Sequence, residues 1–321
     1  MHKKAVLLIT RKLSQNTERR AAEDYDVRLN ADDRLYSPED LIEKSQDVDA
    51  ILPCHSELFT ADLVEKLPDR VKIIANHSVG VDHCDLIALK AKGIVVTNTP
   101  DVLSDATAEI AMLLLLGAAR RASEGDRMVR AGKWAHWSPS FMVGTQVTGK
   151  RIGIVGMGRV GQVMAKRARG FDMEVHYFNR NRLSADKEVG AIFHESIESL
   201  LTVSDYLSLH CPATSETTGF LTAEKIDLLP DGAIVVNTAR GALIDEDALI
   251  VALQSGKIGG AGLDVFADEP GGNAKFAAFD NIFMLPHIGS ATFETRDAMG
   301  FRALDNLDSF FSGTEPVDRV A

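Results

Sequence analysis

The sequence is poor in cysteine, in positive charge and in long hydrophobic runs, and each scarcity excludes a class of protein. Only three cysteines, Cys54, Cys84 and Cys211, occur in 321 residues, and they form no C-x-x-C pair. This count predicts a reducing, cytoplasmic setting and gives no framework for disulfides or for a metal site. The formal net charge of −11 argues against a surface dedicated to nucleic acid or to an anionic membrane.

The apolar runs are all short. Residues 5–10 follow a charged N-terminus as a signal peptide would, but Arg11 and Lys12 close the run at once, which favours a buried strand. The most apolar helical stretch, residues 110–119, has about half the length that a bilayer requires. We therefore expect no membrane span and no membrane anchor.

Apolar, β-branched segments alternate with helical patterns along the chain, which is typical of a parallel α/β sheet. A first series of strands is predicted at residues 5–10, 50–53, 71–76 and 94–98. One long helix is predicted at residues 104–131, followed by a loop at 132–149. A second series of strands is predicted at residues 151–155, 174–178, 206–210, 233–237, 260–264 and 282–285. A closing helix is predicted near residues 293–311.

A glycine-rich turn follows the first strand of the second series. Gly156, Gly158 and Gly161 have the spacing G-x-G-x-x-G, and a helical pattern opens immediately afterwards. In this context the first glycine makes the tight turn, the second lets the backbone approach a pyrophosphate, and the third allows close packing of helix on strand. The segment is therefore predicted to bind a dinucleotide through Gly156, Met157, Gly158, Arg159, Val160 and Gly161.

The tip of the next strand predicts which dinucleotide is preferred. A site selective for NAD normally has an acidic residue there, which binds the ribose 2′-hydroxyl. This chain instead has Asn179, Arg180 and Arg182. Because guanidinium groups suit a 2′-phosphate, we expect NADP(H) to be preferred over NAD(H). Arg180 and Arg182 are the predicted phosphate ligands, and Asn179 is predicted to contact the ribose.

Three polar residues follow three later strands, at the edge where doubly wound sheets build their sites. Arg240 can hold a substrate carboxylate and polarise a carbonyl group. His287 can donate or accept a proton near neutral pH. Glu269 can favour the charged imidazole and fix its orientation. Together these residues suit the reduction of a 2-keto acid.

The motifs taken together resemble the D-isomer-specific 2-hydroxyacid dehydrogenase family over essentially the whole chain. They comprise the glycine-rich turn and the segments at residues 237–241, 264–270 and 286–290. The resemblance implies two Rossmann-like or flavodoxin-like parallel-sheet domains with an interdomain active-site cleft. The substrate domain would comprise residues 1–98 and 289–321, and the dinucleotide-binding domain residues 99–288. The family resemblance also implies a homodimer.

The resemblance implies the same roles for the three residues argued above and adds further ones. Arg240 would bind substrate, His287 would be the acid/base and Glu269 its partner, while Asp264 would contact the nicotinamide end of the cofactor. The other implied substrate contacts are Leu52, Val79 and Gly80. The implied cofactor contacts outside the glycine-rich turn and the strand tip are Thr107, Cys211, Pro212, Thr238, Ala239, Arg240, Asp264, His287 and Gly289.

Within the family, the basic strand tip resembles NADPH-dependent glyoxylate and hydroxypyruvate reductases. Glu269 argues against formate dehydrogenases, which resemble this pattern but carry glutamine at that position. An NAD(H)-linked enzyme for another or bulkier keto acid, of the lactate or phenylpyruvate type, stays open. So does a non-catalytic, nucleotide-sensing binding protein with the same fold.

Trp134 and Trp137 lie in the loop after the long helix. Three roles are open for them from the sequence: packing in the core, anchoring a subunit interface, or contacting substrate bound to a neighbouring subunit.

Overall fold

The computed structural model describes residues 4–321, and the chain divides into two compact units. The first contains the residues up to Leu103 together with Ala291–Ala321, and the second contains Ser104–Ser290. The sequence analysis placed these boundaries at residues 98 and 288. A membrane-spanning helix is absent from the described part of the chain, since none of its helices combines the necessary length with enough apolar residues.

The first unit is built on a five-stranded, wholly parallel sheet of order β2-β1-β3-β4-β5. Its strands are β1 Val6–Ile9, β2 Asp26–Leu29, β3 Ala50–Leu52, β4 Ile73–Ala75 and β5 Val95–Thr97. Its helices are α1 Gln15–Asp24, α2 Pro38–Lys44, α3 Ala61–Lys66, α4 Leu86–Ala91 and α12 Phe293–Phe311. Side-chain caps start these helices: Ser37 and Asp40, for example, form a reciprocal capping box at α2.

The second unit has a seven-stranded, wholly parallel sheet of order β12-β11-β10-β9-β6-β7-β8. Its strands are β6 Arg151–Val155, β7 Glu174–Phe178, β8 Ile192–Phe193, β9 Tyr206–Leu209, β10 Ala233–Asn237, β11 Ile258–Leu263 and β12 Ile282–Met284. Its helices are α5 Ser104–Ala119, α6 Ala122–Arg130, α7 Arg159–Arg169, α8 Ala185–Glu188, α9 Ile197–Leu201, α10 Ala223–Leu228 and α11 Glu246–Ser255. The two sheets confirm the predicted class of two parallel-sheet α/β domains.

The predicted helix at residues 104–131 is wrong as a single element. Arg121 has a φ of 56°, in the left-handed region, and separates α5 from α6. Its guanidinium group binds Glu124 in the first turn of α6, with Nε 2.8 Å from Oε2. Because neither glycine nor proline marks the break, the sequence pattern runs through it.

Two edge strands were not predicted. β2 and β8 lie at the ends of their sheets, and neither contains a fully buried residue. Most side chains of these edge strands are exposed to solvent, so the strands lack the apolar run by which buried strands are recognised.

The exposed tryptophans rule out one of the three roles considered. Trp134 is 58% exposed and Trp137 is 76% exposed in the chain. Packing in the core of this chain is therefore excluded for both.

Gly262 lets α5 pack directly on β11. A Cβ atom at this position would lie 2.8 Å from the carbonyl oxygen of Leu114, a backbone group that cannot move independently. We expect Gly262→Ala to lower the free energy of unfolding by about 1–3 kcal/mol, measured by chemical denaturation. In the control Gly125→Ala, on α6, the nearest atom is at 3.7 Å, and the change should be neutral or stabilising by up to about 1 kcal/mol. Equal losses in both variants would contradict this packing argument.

Candidate active site

The glycine-rich turn between β6 and α7 has the geometry that its spacing predicts. Gly156 has a φ of 93°, and a Cβ atom there would lie 2.5 Å from the backbone nitrogen of Cys211. A Cβ atom at Gly161 would overlap the carbonyl oxygen of Gly156, so α7 can approach β6 only with glycine. At Gly158, the N-cap of α7, no heavy atom other than those of Gly158 and its two chain neighbours lies within 4 Å of the Cβ position. This cradle fits a pyrophosphate at a helix N-terminus.

Asn179 at the tip of β7 ties this turn to the neighbouring strand. Its Oδ1 accepts a hydrogen bond from the backbone N–H of Met157, at 2.6 Å. The predicted ribose contact is therefore also a structural support of the dinucleotide turn. This second role was not predicted, because the two residues are 22 positions apart.

The two arginines after β7 differ in their surroundings. Arg182 is bound to the buried carboxylate of Glu188, with Nε 2.8 Å from Oε1 and Nη2 3.2 Å from Oε2. Tyr177 donates to the same Oε1 at 2.6 Å, and the Arg182 guanidinium holds the pKa of Glu188 below its usual range. Arg180 is exposed and lies within salt-bridge distance of no carboxylate among residues 4–321. Arg180 is thus the arginine that is available to a 2′-phosphate.

The turn after β10 is held by a fully buried asparagine. Asn237 accepts from the N–H of Ala239 at 3.0 Å and donates to the carbonyl oxygen of Arg240 at 2.8 Å. Thr238, between them, has a buried Oγ1 with no hydrogen-bond partner in the described chain. The cofactor contact of Thr238 stays a prediction.

Cys211 and Pro212, the predicted contacts after β9, lie beside the same turn. The backbone of Cys211 lies against Gly156, and burial raises the pKa of its thiol to about 11. The thiol is therefore neutral at physiological pH and is a packing group rather than a nucleophile.

The structure brings Glu269 and His287 together, although they are 18 residues apart. Glu269 Oε2 lies 2.6 Å from His287 Nδ1, and Glu269 Oε1 accepts from the N–H of Phe266 at 2.8 Å. About 29% of the His287 side chain and 27% of the Glu269 side chain are exposed. Because Nδ1 faces the carboxylate, exchange of a proton with a substrate falls to Nε2.

Arg240 reaches the same edge of the sheet through Gly241. A Cβ atom at Gly241 would overlap the backbone of Phe266, so the end of β10 passes directly against the segment that carries Glu269. The Nη1 atom of Arg240 donates to the carbonyl oxygen of Ala239 at 2.7 Å, which orients the guanidinium group.

Asp264 supports the loop that carries His287. Its side chain is 0% exposed, and its two oxygens accept from the N–H groups of Ile288 and Gly289 at 2.8 and 2.7 Å. Burial raises the pKa of Asp264, against the opposing effect of these hydrogen bonds and of His287. Asp264 therefore holds the loop of His287, and its contact with the nicotinamide end of the cofactor stays a prediction.

The loop of His287 is locally strained. His287 has a φ of 53°, in the left-handed region, and its N–H donates to the carbonyl oxygen of Asp264 at 2.8 Å. The neighbouring Gly289 packs against Thr107 on α5: a Cβ atom there would lie 3.4 Å from Thr107 Cγ2. Strain of this kind is found where surrounding contacts fix a functional side chain.

The expected substrate loop of the first unit presents two N–H groups. The N–H groups of Val79 and Gly80 donate to no protein acceptor among residues 4–321. The carbonyl oxygen of Val79 accepts from Asn98, and that of Gly80 accepts from Ser78, at 2.8 and 2.7 Å. These supports were missed by the sequence analysis. They turn the loop so that its donors can hold a carboxylate.

Leu52 does not offer a side-chain contact to substrate. Its side chain is 0% exposed and packs in a core cluster of the first unit. Its carbonyl oxygen accepts from the N–H of Thr10 at 3.2 Å. In the segment after β3 it is Cys54 that borders an open cavity.

Comparison with known proteins agrees with this geometry. The family model for "D-isomer specific 2-hydroxyacid dehydrogenase, NAD binding domain" matches residues 112–289. A glycerate dehydrogenase from Hyphomicrobium methylovorum is 45% identical and covers 97% of this chain and 98% of its own length. The chain belongs to the D-isomer specific 2-hydroxyacid dehydrogenase family. The resemblance stated from the motifs is thereby confirmed.

Other members of the D-isomer specific 2-hydroxyacid dehydrogenase family are similarly close. A glyoxylate reductase from Pyrococcus furiosus is 43% identical over 99% of this chain and 95% of its own. The crystal structure of an NAD-binding protein from Polaromonas sp. JS6 66 has a TM-score of 0.94, with 43% identity over 99% of this chain and all of that one. An NADPH-dependent glyoxylate/hydroxypyruvate reductase from Sinorhizobium meliloti, solved with NADP and malonate, has a TM-score of 0.87, with 30% identity over 99% and 97% of the two chains.

The protein is therefore a D-2-hydroxyacid dehydrogenase with an NAD(P)-binding domain, and its relatives support the reduction of keto acids. The Glu269–His287 pair lies on the unit that carries the dinucleotide turn.

Asp264→Asn tests whether the buried carboxylate positions His287. The amide would present an N–H₂ group to one of two backbone N–H donors, so we expect kcat to fall about 10- to 100-fold. The dissociation constant for the nicotinamide cofactor should change by less than about threefold. Asp205→Asn is the matched control, because Asp205 binds Arg151 at the opposite, amino end of the sheet. It should lower stability and leave kcat unchanged, and equal kcat losses in both variants would contradict the positioning role.

Proposed function

We propose that this enzyme reduces glyoxylate and hydroxypyruvate to the corresponding 2-hydroxy acids, of D configuration where C2 becomes chiral, with NADPH as the hydride donor. The observation that carries the proposal is the Glu269–His287 pair at 2.6 Å. The glyoxylate reductase from Pyrococcus furiosus and the glyoxylate/hydroxypyruvate reductase from Sinorhizobium meliloti support the choice of small keto acids.

Each group of the chain has one role in the proposed reaction. The N–H groups of Val79 and Gly80 and the guanidinium group of Arg240 bind the substrate carboxylate, and Arg240 also polarises the keto group. NADPH, when bound, supplies the hydride that C2 accepts. As the keto oxygen gains negative charge, His287 Nε2 gives it a proton, and Glu269 stabilises the imidazole through Nδ1. The 2-hydroxy acid then leaves, and His287 takes up a proton from solvent.

The preference for NADPH rests on Arg180. It stands at the tip of β7, where an NAD-selective site has an acidic residue, and it has no carboxylate partner among the described residues. Arg182, engaged by Glu188, would contribute to a phosphate site only by sharing its guanidinium group. We therefore assign the main phosphate contact to Arg180, with NAD(H) as a weaker cofactor.

We further expect a homodimer in the cytoplasm. The exposed Trp134 and Trp137 are available to anchor a subunit interface, and all three cysteines are unpaired thiols, as in a reducing compartment.

Oxidation of NADPH and NADH, followed at 340 nm with glyoxylate, hydroxypyruvate, pyruvate and phenylpyruvate, tests the reaction. We expect the two small acids with NADPH to give the highest kcat/KM. His287→Ala should lower kcat by about 10²–10⁴-fold, because the alkoxide loses its proton donor, with little loss of NADPH binding. Faster turnover of phenylpyruvate would favour the bulkier-acid alternative, and near-full activity of the His287 variant would overturn its acid/base role.

Arg180→Ala should weaken NADPH far more than NADH. Loss of a charge-assisted hydrogen bond to the 2′-phosphate predicts an increase of about 10- to 100-fold in the dissociation constant of NADPH, measured by fluorescence titration. NADH should change by less than about threefold. Arg182→Ala is the matched comparison: it strands the buried carboxylate of Glu188, so its main effect should be on thermal stability. Equal weakening of both cofactors in the Arg180 variant would refute the assignment.

A further inference from the structure

A cavity of about 430 Å³ lies in the first unit, within the size range of small-molecule sites. Its wall is formed by the segment before α1, the segment after β3, the end of β4 and the start of α12. The side chains that matter for its chemistry are Lys12, Cys54, His77 and Arg296. The mechanism above uses none of them.

Arg296 gives this cavity its charge. Burial lowers the pKa of its guanidinium group, and no carboxylate among residues 4–321 lies within salt-bridge distance of it. The neighbouring Cys54 is a neutral thiol, because burial raises its pKa to about 12. A partly buried arginine without a carboxylate is costly to the fold, which indicates that a ligand supplies the missing acceptor.

His77 lines the same wall with a neutral ring. Burial, and to a lesser extent the charge of Arg296, lowers the pKa of His77 to about 4, so the ring is neutral. Its Nε2 lies 3.3 Å from the carbonyl oxygen of Arg296 and must therefore carry the proton. Nδ1 is then an acceptor, and it is buried with no hydrogen-bond partner in the described chain.

The cavity adjoins both substrate segments of the first unit. His77 immediately precedes the loop of Val79 and Gly80, and its N–H donates to the carbonyl oxygen of Pro53 at 2.8 Å. Cys54 follows that proline and faces the cavity. A group carried by the substrate beyond its carboxylate and keto carbons can therefore be recognised here.

We propose that Arg296 is a specificity-determining residue, which binds the C3 hydroxyl group of hydroxypyruvate and of its product. The inference rests on the proposed function, and it identifies the part of the substrate that binds in this cavity. The oxygen of a hydroxyl group accepts a hydrogen bond from the Arg296 guanidinium group. A methyl group offers no acceptor and would leave the guanidinium group unsatisfied.

Binding of D-glycerate and D-lactate to the protein saturated with NADPH tests the proposal without turnover. The two ligands differ only in the C3 hydroxyl group, and neither can react with the reduced cofactor. We expect the native protein to bind D-glycerate about 10- to 100-fold more tightly, by calorimetry. Arg296→Met should remove most of this ratio, and Arg296→Lys should restore part of it. Arg19→Met, an exposed arginine of α1 away from the cavity, should leave the ratio unchanged.

Steady-state assays extend the same comparison to the keto acids. Arg296→Met should lower kcat/KM for hydroxypyruvate about 10- to 100-fold and that for glyoxylate, which has no C3, by less than about threefold. Equal losses on both acids, an unchanged D-glycerate to D-lactate ratio, or a larger loss for oxaloacetate than for hydroxypyruvate would each overturn the proposal. Absence of turnover on every keto acid in the native protein would instead refute the proposed function, and the binding ratio would still decide the role of Arg296.

Discussion

The catalytic loop depends on the buried carboxylate of Asp264. A fully buried acid is expensive unless its oxygens are satisfied, and here two consecutive N–H groups, of Ile288 and Gly289, satisfy them. The carbonyl oxygen of Asp264 holds a third N–H, that of His287 itself. These three hydrogen bonds maintain the left-handed backbone that aims the imidazole at Glu269. We therefore expect Asp264 to act on the proposed reaction by positioning the loop of His287.

The same dependence on close backbone contact recurs at the dinucleotide turn. β6 and β9 are neighbours in the sheet. The next strand after β6 is added on one side of this pair and the next strand after β9 on the other, which creates a switch point at their carboxyl ends. Gly156 and Cys211 follow these two strands and approach so closely that only glycine fits. The order of the parallel strands thus determines where the pyrophosphate cradle lies, and the glycines allow the close backbone contacts that form it.

Sequence patterns predicted what depends on local spacing. The buried strands, the glycine-rich turn and the chemical types of Arg240, Glu269 and His287 can all be recognised within short segments. Features that depend on contacts between residues distant in sequence could not be predicted in this way. Arg182 looks as suited to a phosphate as Arg180 until Glu188 is seen beside it. The burial of the Leu52 side chain depends on the strands beside it, and no residue type marks the break at Arg121.

The arginines show why partners decide function in an acidic protein. A guanidinium group that already has a carboxylate, such as that of Arg182 with Glu188 or Arg151 with Asp205, is neutralised and stiffens the fold. A guanidinium group without one attracts an external acceptor, and it does so more strongly where burial removes water. Arg180 satisfies this condition at the surface, and Arg296 satisfies it in the cavity of the first unit, where its guanidinium group is partly buried. With 46 acidic and 35 basic side chains in the sequence, acids are plentiful, so an arginine that stays unpaired has been kept apart from them by the fold. That separation is the physical reason to look for anions and hydroxyl groups at these two positions.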